Sequence, residues 1–219
     1  MKKLNLLLLL SLCVLCSCSL ENDDKQEEIY IAFATVENPN AAARFFLVLD
    51  DGTKLYTAET PDLANPDQGY PKDGSRILTN YNVLKPASSN NIRLINLANV
   101  PIDKISEENT TKRNDRYRLD MLYPGGKDYL NVLISHNFSS SLIDKHDILL
   151  VQKDLQEAHF DLIYSNGGDS GANFSMSPIC FDLSSLKETF PDSVTLVINT
   201  YETSAETPKT YTMKYKFKN

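Results

Sequence analysis

The chain has 219 residues, of which 42% are hydrophobic, 9% aromatic and 23% charged, with no Trp. That composition is globular, and eight Gly and ten Pro exclude a collagen-like or Pro-rich low-complexity chain. A formal net charge of −7 argues against a nucleic-acid binder, and four Cys, three of them within the first eighteen residues, exclude a disulfide scaffold.

Lys2 and Lys3 open the chain, and an apolar run from Leu4 to Val14 follows, interrupted by Asn5, Ser11 and Cys13. A basic end before a short apolar stretch is the layout of a secretory signal. The run is too short to cross a bilayer, which takes about 20 apolar residues. Leu15-Cys16-Ser17-Cys18 comes next. It resembles the lipobox of bacterial lipoproteins: an aliphatic residue, a loose position, a small residue, then the lipidated Cys. Cys13 and Cys16 each follow a bulky Leu, so only Cys18 has both a small residue before it and an aliphatic residue three back. The expected signal peptide is therefore residues 1–17, and its loss moves the net charge from −7 to −9 by removing Lys2 and Lys3. The resemblance implies a diacylglyceryl group and an N-acyl chain on Cys18, palmitate-type lipids that tie the protein to a membrane it does not span. Each buried methylene adds roughly 0.8 kcal/mol, and two or more chains give stable anchoring.

Residues 18–28 read as an acidic flexible tether, with no apolar period and much like charge. The run also resembles the surface-export signal of Bacteroides-type lipoproteins; a plain solvated spacer is the equal alternative. Ser19, not the Asp associated with inner-membrane retention, follows the Cys. The outer membrane is the expected address. Cys180 is the only other Cys left after maturation, and within Ile179-Cys180-Phe181 it reads as a buried, inert thiol.

From Ile29 onward the dominant period is two. Ile29 to Val36 is β-branched and aromatic, and Arg44 to Asp50 is apolar enough for a strand buried on both faces. Asp51-Gly52 suits a tight turn, with Thr53 to Tyr56 returning as its hairpin partner. Residues 58–74 form a Pro- and Gly-rich loop, and Ser75 to Leu84 and Ile92 to Val100 are the next strands. Short strands closing on one another suggest a small OB-like barrel over residues 29–108.

Pro101 to Asp115 is polar, with Ile102 and Ile105 at the spacing of one helical turn, and the domain junction is expected near residue 108. Beyond it Tyr117, Leu119, Met121 and Tyr123 alternate with Arg118 and Asp120. Further strands are expected at Tyr129 to Ile134, Ile148 to Val151, Phe160 to Tyr164, Phe174 to Phe181 and Val194 to Tyr201. In the last, Tyr211, Met213, Tyr215 and Phe217 mark a core face against Thr212, Lys214, Lys216 and Lys218. Residues 109–219 therefore read as a β-sandwich, making the chain all-β with two domains. Neither half carries a basic stripe, so nucleic acid is not an expected partner.

Several of these segments, taken in order, resemble the NigD-like lipoproteins of Bacteroides-type bacteria. They are Ala34-Thr35-Val36-Glu37-Asn38, Leu49-Asp50-Asp51-Gly52-Thr53-Lys54-Leu55-Tyr56, Asp73 to Ile77 and Tyr81 to Leu84. In the second half they are Asp128 to Val132, His146 before Leu149-Leu150-Val151, and Cys180-Phe181-Asp182-Leu183. The resemblance covers residues 18–219. It implies an N-terminal OB-like domain and a C-terminal β-sandwich, with a name drawn from a bacteriocin gene cluster. It supplies no catalytic residue and no ligand. The chain departs from the family in lacking a Trp after Lys54 and in the linker.

Candidate chemistry is sparse. Gly168-Asp169-Ser170-Gly171 looks like the nucleophile loop of trypsin-like proteases, but His136, His146 and His159 all lie within 35 residues of Ser170, leaving no room for a second barrel between them. A Gly-rich hairpin turn at Asn166 to Asp169 is the expected role. No His pair has i, i+4 spacing and no Cys pair survives maturation, so no metal site is expected. Asp50, Asp51 and the Asp67–Asp73 loop have calcium-type oxygens, but turn stabilisation is the expected use. His146, beside Asp144 and Asp147, is either half of an acid–base pair or an exposed strand-edge His. Asp192-Ser193-Val194 resembles a short O-glycan acceptor of Bacteroides-type envelope proteins. Tyr56 and Tyr70 in and beside the 58–74 loop could stack on sugars.

The expectation is a non-enzymatic, lipid-anchored envelope protein without cofactor that binds an unidentified protein or glycan, in a bacteriocin-related setting. The alternative is an assembly subunit acting through strand addition at an edge such as Thr210 to Phe217. The third reading is a serine hydrolase using Ser170.

Overall fold

The structure is a computed structural model that describes residues 28–37, 45–59, 71–84, 90–107, 115–139, 142, 145–154, 157–202 and 207–217. The signal peptide, Cys18, most of the tether, residues 60–70 of the loop with Tyr70, Asp144 and the junction near residue 108 lie outside the described residues.

Five strands close the first domain: β1 (Tyr30–Glu37), β2 (Phe46–Leu49), β3 (Lys54–Glu59), β4 (Arg76–Val83) and β5 (Asn91–Asn99). Their order around the barrel is β1-β2-β3-β5-β4, with β3 and β5 parallel and the other neighbours antiparallel. Ala34, Val36, Leu47, Leu55, Ile77, Ile92 and Leu94 fill the interior. The Asp51-Gly52 turn forms as expected: Gly52 has φ +91° and donates to the Leu49 carbonyl, and Asp51 Oδ1 accepts from Thr53 N–H. The segment read as buried on both faces is not. A barrel strand has one inner face, so Leu47 is buried while Phe46 and Val48 are half-buried; Phe46 packs against Tyr56, ring centroids 5.4 Å apart.

The second domain is a sandwich of two four-stranded sheets. Its strands are β6 (Ile102–Lys104), β7 (Arg118–Gly125), β8 (Tyr129–Phe138), β9 (Asp147–Asp154), β10 (His159–Ser165), β11 (Asn173–Asp182), β12 (Ser193–Thr200) and β13 (Lys209–Lys216). One sheet runs β6-β11-β8-β7 and the other β13-β12-β10-β9. Leu130, Val132, Ile134, Phe160, Leu162, Phe181, Leu196 and Ile198 are among the side chains that meet between them.

Three expectations change here. Ile102 does not begin a turn of helix: Ile102–Lys104 pairs parallel with Cys180–Asp182, because β11 offers it an open edge. This short strand thus belongs, by its hydrogen bonds, to the second domain's sheet. Tyr117, Leu119, Met121 and Tyr123 do not share a face. A register shift between Leu119 and Met121 inserts Asp120 as a bulge, after which the phase reverses. Tyr117, Leu119 and Leu122 join the sandwich core, while Met121 and Tyr123 turn towards the barrel. Finally, Asn166 to Asp169 is a turn, but it links β10 in one sheet to β11 in the other and is not a hairpin.

The two domains share a small third core. Phe33, Leu78 and Val100 of the barrel and its exit pack on Met121, Tyr123, Tyr129, Leu133 and Cys180 of the sandwich. Through it runs a polar lock: Arg76 Nη2 donates to Asp50 Oδ1 at 2.5 Å and to Asn131 Oδ1 at 2.7 Å, and Asn131 Nδ2 donates to Asp50 Oδ2 at 2.7 Å. The guanidinium is buried between the rings of Phe33 and Tyr129, 5.7 and 5.4 Å from their centroids. Gly125 makes the approach possible: a Cβ there would stand 2.7 Å from Asp50 Cβ.

Candidate functional site

Segment 101–107 closes one flank of the sandwich by bonding to both sheets. Ile102–Lys104 lies along β11, and Ser106 bridges to β9, donating to the Leu150 carbonyl at 2.8 Å and accepting from Gln152 N–H at 2.9 Å. Towards the other end of that flank lies a cavity of about 350 Å³, between Met176 to Ile179 of β11 and Asp147 and Ile148 of β9. Asn99, Pro101 and Asp103 from the domain junction complete its wall. A cleft at a domain junction is a favoured place for ligands.

Three rings packed at tilted and edge-on angles, from three elements and each also lining the cavity, close this end of the core: His136 from β8, Tyr164 from β10, and His146 just ahead of β9. The two imidazole centroids are 5.0 Å apart, and Tyr164 lies 4.9 Å from His136 and 5.8 Å from His146. Strand phase explains His136: it continues the inward series Leu130, Val132, Ile134.

Hydrogen bonds fix the rings. Asp169 Oδ2 accepts from His146 Nε2–H at 3.0 Å, leaving Nδ1 to accept from the Tyr164 hydroxyl at 2.9 Å. His136 Nδ1–H points at the Asn137 carbonyl, 3.2 Å away, so Nε2 accepts from the Ser177 hydroxyl at 2.8 Å. The Gly-rich turn holds Asp169. Asn166 Oδ1 accepts from Gly168 N–H, Asn166 Nδ2 donates to the Asp169 carbonyl, and Gly167 and Gly168 adopt φ of +59° and +85°. The carboxylate also accepts from Ser139 N–H at 2.6 Å and Gly171 N–H at 2.7 Å.

Burial lowers the pKa of His136, and the neighbouring His146 lowers it further, against the raising pull of the Asn137 carbonyl and Asp169. His136 is therefore a neutral imidazole at pH 7. Burial raises the Tyr164 phenol, with Asp115 and Asp169 adding to it, so Tyr164 remains a donor. For Asp169, burial opposes ionisation, but the Ser139 and Gly171 N–H groups and His146 together hold its pKa below the usual value.

Ser177 and His136 have the spacing of a nucleophile and its base. The surroundings do not extend that chemistry. Cys180 N–H turns to the Pro101 carbonyl on the β6 side, so by strand alternation Ser177 N–H turns to β8. The next residue, Pro178, has no N–H. Neither supplies the backbone donors an oxyanion needs at Ser177. Ser170 is exposed, and the side chain that its loop sends to His146 is Asp169.

His146 is neither half of a pair with Asp147 nor an exposed strand-edge His. Its side chain is 7% exposed, and its carboxylate partner is Asp169. Asp51 stabilises its turn, while Asp50 is taken by the interdomain lock. Cys180 is fully buried, hydrogen-bonded to Asn131 Oδ1, with burial pushing its thiol up to about 11. Ser193 is exposed at the start of β12. No group of three or more His, Cys, Asp or Glu suited to a metal ion occurs among the described residues.

Residues 33–100 match the NigD-like N-terminal OB domain, and residues 100–215 match the NigD-like C-terminal beta sandwich domain. A comparison with the curated proteins finds no match. Among solved structures, a toxin-related protein of Parabacteroides distasonis superposes with a TM-score of 0.64 at 26% identity, covering 86% of this chain and 93% of that one. A NigD-like immunity protein of Bacteroides caccae gives 0.61 at 14% identity, covering 87% and 97%. A protein of Bacteroides fragilis described as a lipoprotein gives 0.52 at 11% identity, covering 88% and 99%. At the lower two identities the likeness is one of fold.

Proposed function

The chain belongs to the NigD-like family, and from that membership we propose that it is a lipid-anchored protein of the cell envelope that works by binding a macromolecule, protein or glycan, and not by catalysis. Cys18, with Ser17 before it and Leu15 three back, is the anchor, and the outer membrane is its address. The names of the relatives, immunity and toxin-related, favour a bacteriocin-related role in which a partner is held and not transformed.

The observation that carries the binding reading is the cavity at the domain junction. Its ring nitrogens are committed to internal hydrogen bonds, its one serine–imidazole pair lacks backbone oxyanion donors, and barrel and sandwich are bound to each other by the buried Arg76. Such a site is preorganised to recognise and poorly equipped to react.

Two measurements test this. Fractionation and mass spectrometry of the full chain and of Cys18→Ser, expressed in a Bacteroides-type host, are expected to show acyl mass and membrane retention in the first only. Equal retention without acyl mass would overturn the anchor. The detergent-extracted protein is then presented to glycan arrays and to purified secreted antibacterial proteins of the same host; no binding in either would overturn the binding role.

A further inference from the structure

We propose that the exposed half of β11, Phe174 to Pro178, is a strand-addition slot that takes an extended, basic segment of a partner protein. The proposal rests on the binding reading above and names its surface and the chemistry of its partner.

β11 is paired along its whole length on one side only. Asn173 to Asp182 bond to β8, whereas β6 covers only Cys180 to Asp182. Cys180 N–H is turned to the β6 side. The register with β8 shows no shift, so strand alternation places the backbone groups of Phe174, Met176 and Pro178 on that same side. Among the described residues none of these groups has a backbone partner there. The Phe174 and Met176 side chains, 60% and 47% exposed, are the large apolar groups this stretch shows to solvent. An added strand would continue the line of β6, fill the gap between β11 and β9, and place one side chain in the cavity.

Another sheet edge, β13, is guarded. It carries Lys209, Lys214 and Lys216, the usual protection against edge-to-edge pairing. Asn173 to Pro178 carries no charge at all. Pro178 sits in the phase whose N–H would face outward, which is where an edge strand tolerates Pro, and its carbonyl remains an acceptor. Two carboxylates, Asp103 and Asp147, line the cavity from exposed positions on its two sides. They favour a Lys or Arg on the incoming segment, and main-chain pairing with pockets for alternate side chains is an established recognition mode.

Amide hydrogen exchange on the full chain in detergent provides the test, with alternating Lys-Val and Glu-Val octapeptides as probes. In the free protein the Phe174 and Met176 amides are expected to exchange as fast as exposed loops; slow exchange there would mean the edge is already covered and would overturn the proposal. The Lys-Val peptide is expected to slow both amides at least tenfold, with no change along β13. Met176→Pro removes an outward N–H and spares the β8 ladder, so it is expected to keep the fold and abolish the protection; Thr212→Pro on β13 is expected to leave it intact. Failure of the Lys-Val peptide to bind, equal binding by the Glu-Val peptide, or protection arising from concentration-dependent dimerisation alone would each overturn the slot. Met176→Pro leaves acylation at Cys18 untouched, so membrane retention reports on the anchor independently.

Discussion

Arg76 of the barrel and Asn131 of the sandwich are joined by a 2.7 Å hydrogen bond, and Asp50 accepts from both of them. Neither domain can satisfy this triad alone. Removing one partner of a buried ion pair costs about 3–5 kcal/mol, because the other charge stays buried. Arg76→Ala is therefore expected to lower stability on that scale. Urea denaturation should also show two transitions in place of one, as the barrel and sandwich lose their common lock. A single transition with an unchanged midpoint would contradict this role.

Two groups at the ring cluster contribute to the acid limb of stability. His136 has a folded-state pKa below its unfolded value of 6.5, so its contribution is complete above that pH and is lost as pH falls through the folded pKa. Asp169 behaves likewise from 3.8 downward. Urea midpoints measured from pH 8 downward are expected to fall first below pH 6.5 and again below pH 3.8. His136→Gln should flatten the upper step and Asp169→Asn the lower one.

Cys180 is fully buried, and burial pushes its thiol up to about 11. Thiolate is the reactive form, so Ellman's reagent at pH 8 is expected to leave the folded protein unmodified at this position and to modify it in denaturant. Rapid native labelling of Cys180 would show that the interdomain core opens.

Gly171 tests the turn that holds Asp169. A Cβ there would stand 2.1 Å from the Phe138 carbonyl carbon, whereas one on Gly52 meets nothing, its cost arising only from φ +91°. Gly171→Ala is expected to be the more damaging of the two by over 1 kcal/mol in thermal denaturation. It should also disturb the His146 signals in NMR spectra, since Gly171 N–H donates to Asp169.

The two-domain β architecture was legible because strand period two and turn chemistry act locally: Asp51-Gly52 and the Tyr211 to Phe217 alternation need no distant partner. The family resemblance pointed to the same fold. What was not legible depends on neighbours far along the chain. The bulge at Asp120 is invisible to periodicity, since a strand with one extra residue still alternates on either side of it. Ile102–Lys104 became a strand because β11 offered an edge some 78 residues further on. The sequence sets His146 beside Asp144 and Asp147, while its partner Asp169 arrives from the crossover loop. His136 carried a readable signal, the inward phase of Leu130, Val132 and Ile134, which places an imidazole at the end of a core where a hydrophobe would be usual.

The bulge makes one strand answer to two masters. Upstream of Asp120 the apolar positions serve the sandwich interior; downstream, Met121 and Tyr123 grip the barrel. Deleting that single residue would leave both sets in place, whereas drawing Asp120 into the ladder would turn Met121 and Tyr123 towards the sandwich interior and Leu122 away from it. The grip of one half on the other therefore depends on keeping that one position out of the paired register along β7.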